Sequence, residues 1–285
     1  MSEILKGAPV AEAINQRSAA LLAELEKKDI SPTLAMLRVG AREDDIAYEN
    51  GAAKRCEKVG VTVLRVTLPE DVTQQELLAE IKLLNDDSRV HGVLMFLPLP
   101  KHLDSKAARR ALSPDKDVDG ITDGSLAGVF TGNGEGFAPC TAQACIEILD
   151  HYGIDCAGKR AVVVGRSLVV GKPLSMMLMA KHATITVCHT RTLDLPEVTK
   201  NAEILVAAAG RAGAIGAEHL SEGQVVIDVG INFADGKMCG DVDFEAAEGI
   251  CAACTPVPGG VGTVTTSVLV SHVVEAAKRQ AEALS

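Results

Sequence analysis

Ala161-Val162-Val163-Val164-Gly165-Arg166-Ser167-Leu168-Val169-Val170-Gly171-Lys172-Pro173 reads as a short buried strand, a glycine turn and the start of a helix. Gly165 lets the chain turn sharply at the strand's carboxyl end, Gly171 leaves room for close backbone approach, and Pro173 suits the first turn of a helix. Free N–H groups at such a helix start attract a pyrophosphate. The spacing departs from GxGxxG, so by itself the stretch fits an ordinary βα turn equally well. The following strand narrows the choice. Its end reads Cys188-His189-Thr190-Arg191-Thr192, where NAD-binding Rossmann units place a carboxylate for the ribose 2′-OH. Hydroxyls and an arginine suit a 2′-phosphate instead, and Arg166 can add a charge-assisted contact. NADP is expected over NAD; the alternative for His189 and Arg191 is a solvated loop.

Outward from this unit, short β-branched runs alternate with helical patterns, the mark of an α/β protein with largely parallel sheets. Val10, Ile14, Leu21 and Leu25 suggest a first helix, Leu34–Val39 a buried strand, and 45–59 a second helix stopped by Gly60. Val61–Val66 reads as the next strand. Thr73 and Glu76 form a capping-box pair ahead of Leu77, Leu78, Ile81 and Leu84, and Val93–Leu97 is a third strand. Residues 119–139 are rich in turn formers and read as loops with a domain crossing. A connecting helix is expected over 141–152, then strands near 161–164, 184–187, 204–207 and 225–229, and a last helix from about Val268 to Leu284.

Composition removes several classes. The 285 residues are 47% hydrophobic, enough to bury a sizeable core, yet only 2% are aromatic and Trp is absent. That core must be aliphatic, and a surface that stacks ligands on rings is disfavoured. With a formal charge of −10 and no long basic run, neither nucleic acid nor an anionic membrane is an expected partner. The N-terminus lacks a signal-peptide pattern and the apolar runs are too short to span a bilayer, so a cytoplasmic location is expected. Of eight cysteines, Cys251 and Cys254 form the one CxxC, without the further ligands that zinc needs. No metal is expected, and the thiols are read as reduced and packed. Asp115-Lys116-Asp117-Val118-Asp119-Gly120 imitates the start of an EF-hand loop, but its twelfth position is Leu126 rather than Glu, which rejects calcium.

Seven ordered segments carry a family resemblance over nearly the whole chain. They are Tyr48 before a helix rich in Lys and Arg, Asn85-Asp86-Asp87 with Gly92 to Pro100, the 115–120 run, Pro139-Cys140-Thr141, Gly165 to Pro173, Asp228-Val229-Gly230-Ile231-Asn232, and Thr255-Pro256-Val257-Pro258-Gly259-Gly260-Val261-Gly262. Together they resemble the methylenetetrahydrofolate dehydrogenase/methenyltetrahydrofolate cyclohydrolase family of one-carbon metabolism. The resemblance implies two α/β domains with a cleft between them, the C-terminal one Rossmann-like, and a homodimer. Residues 1–120 plus 266–285 would form the folate-binding catalytic domain and 121–265 the NADP-binding domain. Tyr48 would stack on or orient a tetrahydrofolate substrate, and Asp119 would grip the N–H edge of its pterin. Phe96, Leu97 and Pro98 would border the substrate. Pro258, Gly259, Gly260 and Gly262 would shape a loop over pterin and nicotinamide. Gly165, Arg166, Ser167, Val170 and Gly171 would line the cofactor, joined by His189, Thr190, Arg191, Gly210 and Ile231.

The chain departs from the family pattern at three places. Ala52 stands where the bifunctional enzymes carry a lysine, Phe96 where they carry a glutamine, and Thr263 replaces a proline. Lys54 lies roughly 240° round the helix from Tyr48 and Arg55 about 20°, but a guanidinium is too basic to exchange protons as a lysine can. Hydrolysis of a methenyl bridge needs acid–base work, whereas hydride transfer mainly needs the two reactants held together. A dehydrogenase with weak or absent cyclohydrolase activity is therefore expected. The alternatives are the full bifunctional enzyme, a folate- or nucleotide-binding homologue without turnover, and an unrelated Rossmann dehydrogenase, against which Asp119 and 258–262 argue.

Overall fold

The computed structural model describes residues 2–234 and 236–283, and the chain divides into two compact units. One comprises Met1–Glu12 with Thr141–Thr265, the other Ala13–Cys140 with Thr266–Ser285. The sequence reading divides the chain at 120 and keeps the first residues with the second of these units.

In chain order the elements begin with β1 (Glu3–Ile4) and α1 (Gly7–Glu26), then β2 (Thr33–Val39), α2 (Glu43–Val59), β3 (Thr62–Leu68), α3 (Gln74–Asp86) and β4 (Gly92–Met95). β2, β3 and β4 form a parallel three-stranded sheet in the order β3-β2-β4. Ala35, Leu37, Val39, Val93 and Met95 from the strands bury against Leu77, Ile81 and Leu84 of α3, each such side chain contributing about 2 kcal/mol. Gly60 ends α2 at φ +97°, with its N–H on Cys56 O, as expected of a C-terminal glycine. Thr73 and Glu76 form the reciprocal capping box that their spacing predicts.

Next come α4 (Ser105–Ala111) and α5 (Asp123–Thr131). α5 corrects the reading of 119–139 as loop throughout. Its buried face is Ser125 and Gly128 rather than apolar residues, and a Cβ at Gly128 would lie 1.9 Å from Glu135 O. A helix that packs through missing side chains shows no hydrophobic period. Thr122 caps it by accepting from Ser125 N–H.

The other unit is built from α6 (Cys140–His151), β5 (Arg160–Val164), α7 (Gly171–Ala180), β6 (Thr184–Cys188), α8 (Leu195–Lys200), β7 (Ile204–Ala207) and β8 (Val225–Asp228). A hairpin of β9 (Asn232–Ala234) and β10 (Lys237–Cys239), then α9 (Phe244–Ile250) and β11 (Ala253–Cys254), lead to α10 (Val261–Ala283). The expected last residue of that helix, Leu284, lies outside the described residues, and the helix starts seven positions before Val268. The main sheet is six-stranded and parallel, in the order β1-β11-β8-β7-β5-β6. Strands buried on both faces explain the unbroken apolar runs of β5, β7 and β8. All eight cysteines are free thiols, with Cys251 and Cys254 packed in this unit's core. Among the described residues no helix is long and apolar enough to cross a membrane, and no cluster of His, Cys, Asp and Glu could hold a metal ion.

Candidate active site

In the unit of residues 13–140 and 266–285, the 115–120 run distributes three charged side chains to three tasks. Lys116 is buried and donates to the carbonyls of Leu84 (2.9 Å) and Asp87 (2.7 Å), closing the end of α3. Asp117, fully buried, accepts from the N–H groups of Ile121 (3.0 Å) and Thr122 (2.7 Å), which fixes the turn into α5. Asp119 is left facing Tyr48 and Cys140. Burial, with the Asp117 charge behind it, pushes the Asp119 carboxyl up to about 7, while the Cys140 thiol donating to it pulls the other way. Burial also lifts the Cys140 thiol well above its usual range, with the Asp119 charge adding to the effect.

Tyr48 sits on α2 with its ring 40% exposed. Burial of its hydroxyl, with Asp119 and Cys140 nearby, pushes the phenol well above the ordinary tyrosine range, so it remains a proton donor at neutral pH. The ring meets Phe96 edge to face, 6.1 Å between centroids. Ala52, one turn on from Tyr48, is 1% exposed and Phe96 is 6% exposed. Lys54 is exposed and Arg55 half-buried. Leu97 and Pro98 follow β4 across a cis peptide bond. Two residues that sequence reasoning missed steady this site. Glu49, adjacent to Tyr48 and 4% exposed, is held by Arg38 Nε at 2.8 Å and Arg65 Nε at 3.1 Å, tying α2 to β2 and β3. His272 of α10 directs Nδ1 at Val118 O (2.9 Å), the carbonyl that Cys140 Sγ also approaches at 3.2 Å.

In the unit of residues 1–12 and 141–265, a cavity of about 510 Å³ opens beyond the carboxyl ends of β5, β6 and β7. The chain runs from β5 to β6 on one side and then to β7 on the other, so this crevice is the topological switch point where open α/β sheets bind ligands. Gly165, Arg166 and Ser167 line it after β5, and His189 and Thr190 after β6. A Cβ at Gly165, whose φ is +135°, would lie 2.1 Å from Ala208 O, so no other residue fits there. A Cβ at Gly171 would lie 2.2 Å from Gly165 O. Ser167 Oγ accepts from Val170 N–H at 3.1 Å, shaping the approach to α7. Arg191 is exposed, its N–H on His189 Nδ1; neither it nor Val170, Gly171 or Gly210 is among the lining residues.

The crevice wall after β7 consists of Ala208, Ala209, Arg211 and Ala214. Apart from Gly210 this segment went unread, although a run of small residues at a strand's carboxyl end is itself a signal of close backbone approach. The lining carries two arginines and no carboxylate, which fits a group with extra phosphate charge. Ile231 lies elsewhere in the same unit. It borders a second cavity of about 230 Å³, with Gly230, Met238 and the stretch from Pro256 to Thr263 that contains Pro258, Gly259, Gly260 and Gly262.

Residues 5–119 match the catalytic domain of tetrahydrofolate dehydrogenase/cyclohydrolase, and residues 139–281 match the NAD(P)-binding domain of the same proteins. The bifunctional protein FolD of Clostridioides difficile (strain 630) is 47% identical over 279 residues, 98% of this chain and 97% of that protein. Among solved structures, the bifunctional FolD methylenetetrahydrofolate dehydrogenase/cyclohydrolase of Campylobacter jejuni is 38% identical with a TM-score of 0.95, covering 98% of this chain and 99% of that one. The Trypanosoma brucei enzyme, solved with NADP cofactor and an inhibitor, is 34% identical with a TM-score of 0.91 and 98% coverage of each chain.

Proposed function

The chain belongs to the tetrahydrofolate dehydrogenase/cyclohydrolase family, and from that premise we propose that it oxidises 5,10-methylenetetrahydrofolate with NADP and also hydrolyses the methenyl product. NADP supplies the hydride acceptor when bound. We assign its binding to the unit with the Gly165 crevice, where Arg166, Arg211 and Thr190 offer charge and hydroxyls to a 2′-phosphate. Ser167, in the turn that leads to α7, would hold the pyrophosphate near that helix start. Folate is assigned to the unit with Tyr48 and Asp119, the carboxylate accepting pterin N–H groups and the ring orienting the substrate. A homodimer belongs to this reading and is tested by sedimentation velocity.

The observation that carries the proposal is the pairing, within one chain, of a carboxylate-free arginine crevice at a Rossmann switch point with the neighbouring Tyr48 and Asp119 side chains. Mixing purified protein with methylenetetrahydrofolate and NADP⁺ and following NADPH absorbance tests it. No NADPH formation defeats the dehydrogenase reading, and a higher kcat/KM with NAD⁺ defeats the choice of cofactor.

Support for the hydrolytic half comes from relatives named as bifunctional enzymes. In this chain Asp119, whose carboxyl titrates near neutrality, is the group suited to move the proton. A second reading, dehydrogenase activity with weak hydrolysis, is favoured by the small Ala52 and the apolar Phe96 where the family carries Lys and Gln. Decay of methenyltetrahydrofolate above its spontaneous rate separates the two.

A further inference from the structure

Asp228 and Asp241 form a buried pair of carboxylates that neither hydride transfer nor hydrolysis requires. They are 4% and 0% exposed. Two neighbouring acids out of water are costly unless their oxygens are well satisfied, and here each accepts three N–H groups. Asp228 takes those of Gly230 (2.9 Å), Asp241 (3.0 Å) and Val242 (3.0 Å). Asp241 takes Gly210 N–H (2.8 Å), Arg211 N–H (3.0 Å) and Asn232 Nδ2 (2.9 Å). The backbone is cut away to admit them. A Cβ at Gly240 would lie 1.8 Å from Asp228 Oδ2, and one at Gly230 would lie 2.4 Å from Asp241 Oδ1.

The destinations of these bonds point to a task. Asp241 grips Arg211, on the wall of the 510 Å³ crevice, and Gly210, which lies in the chain between the lining residues Ala209 and Arg211. Asp228 grips Gly230, at the edge of the 230 Å³ cavity, and its own N–H donates to Thr255 Oγ1 at 2.8 Å, where the 255–262 loop begins. Asn232, next in the chain to Ile231 of the second cavity's lining, donates to Asp241. Six hydrogen bonds thus lock loops that lie far apart in sequence.

We infer that Asp228 and Asp241 are positioning residues for the dinucleotide, holding the Arg211 wall and the Gly230–Ile231 edge in the fixed register that one cofactor spanning both cavities needs. This inference rests on the NADP reading above. Asp241 is the more telling member, because one of its donors, Arg211, lines the crevice and another, Gly210, sits beside it in the chain. An amide in its place turns one acceptor into a donor facing an N–H group, which releases Gly210 or Arg211 and removes one buried negative charge while leaving every lining residue of the crevice in place.

The test is Asp241→Asn beside Asn232→Ala, with NADP⁺ affinity measured by titration calorimetry and kinetics at varied NADP⁺ and varied folate. For Asp241→Asn the expected result is NADP⁺ Kd and KM raised about tenfold or more, kcat at saturating cofactor changed by less than about threefold, and folate KM unmoved. Asn232→Ala, which removes one bond and leaves both carboxylates, is expected to weaken NADP⁺ binding by about threefold. Wild-type protein that binds NADP⁺ while both variants bind it equally well overturns the inference. So does a uniform loss of kcat and of both KM values. If Asp241→Asn does not fold, Asn232→Ala decides alone, an unchanged Kd overturning the inference. Wild-type protein that binds no NADP⁺ overturns the cofactor reading, and the inference falls with it.

Discussion

The Phe96 ring meets Tyr48 edge-on, 6.1 Å between centroids and 78° between planes. The position that carries glutamine in the family pattern is therefore an apolar buttress for the tyrosine. It steadies the ring, worth about 1 kcal/mol, and contributes no proton-transfer group. On the proposed reading, the proton in hydrolysis moves through Asp119. Asp119→Asn is expected to lower methenyltetrahydrofolate hydrolysis by about a hundredfold, read as the rate above the spontaneous background. A wild-type rate equal to background, rising in Ala52→Lys/Phe96→Gln, decides for dehydrogenase activity without appreciable hydrolysis.

The Asp119 carboxyl, raised to about 7 by burial and by Asp117, gives the pH dependence a definite sign. Below pH 7 it takes up a proton and ceases to be a full acceptor for pterin N–H groups. KM for methylenetetrahydrofolate is expected to rise as pH falls from 8 to 6. Stability runs the other way: the folded state binds the proton between the unfolded value near 4 and the folded value near 7, so ΔG of unfolding from this group grows as pH falls through that window. Asp119→Asn should flatten both trends, in kinetics and in urea titrations at several pH values.

Glu49 lies between Arg38 and Arg65 with 4% of its surface exposed. Glu49→Ala leaves Arg38, itself largely buried, without its partner. Discounted for the half-exposed Arg65, the expected loss is about 2–3 kcal/mol of unfolding free energy. Because α2 carries Tyr48, folate KM should rise as well. A denaturation midpoint and folate KM both within error of wild type would remove Glu49 from the site's support.

At Gly165 a Cβ would meet Ala208 O at 2.1 Å on a backbone with φ +135°. Gly165→Ala must therefore move the turn or the Arg211 wall, and NADP⁺ affinity is expected to fall by more than about tenfold. Calorimetry on folded variant protein reads this directly, with retention of wild-type Kd as the contrary result.

Much of this was legible because the signals are local. Gly60, the Thr73–Glu76 box and the Gly165 turn act on backbone within a few residues, and their geometry follows from φ preferences and capping. The resemblance added Asp119 and Tyr48 by motif. Less legible were partnerships closed across long separations. Asp241 grips Gly210 and Arg211 from about thirty residues away, and Glu49 reaches from α2 to Arg65 on β3. Composition and period carry no trace of such pairs. α5 escaped for a different reason: Gly128 and Ser125 pack by being small, and pattern reading looks for bulk.

Both compact units are assembled from non-contiguous stretches of chain. During synthesis, the unit that holds Tyr48 and Asp119 lacks His272 and Arg279 until the whole of the other unit's 141–265 stretch has been made, although its own sheet is complete long before. Excising either half as a single uninterrupted fragment leaves it without part of its own interior. A split-protein or domain-swap experiment on this enzyme must therefore cut at three points rather than one.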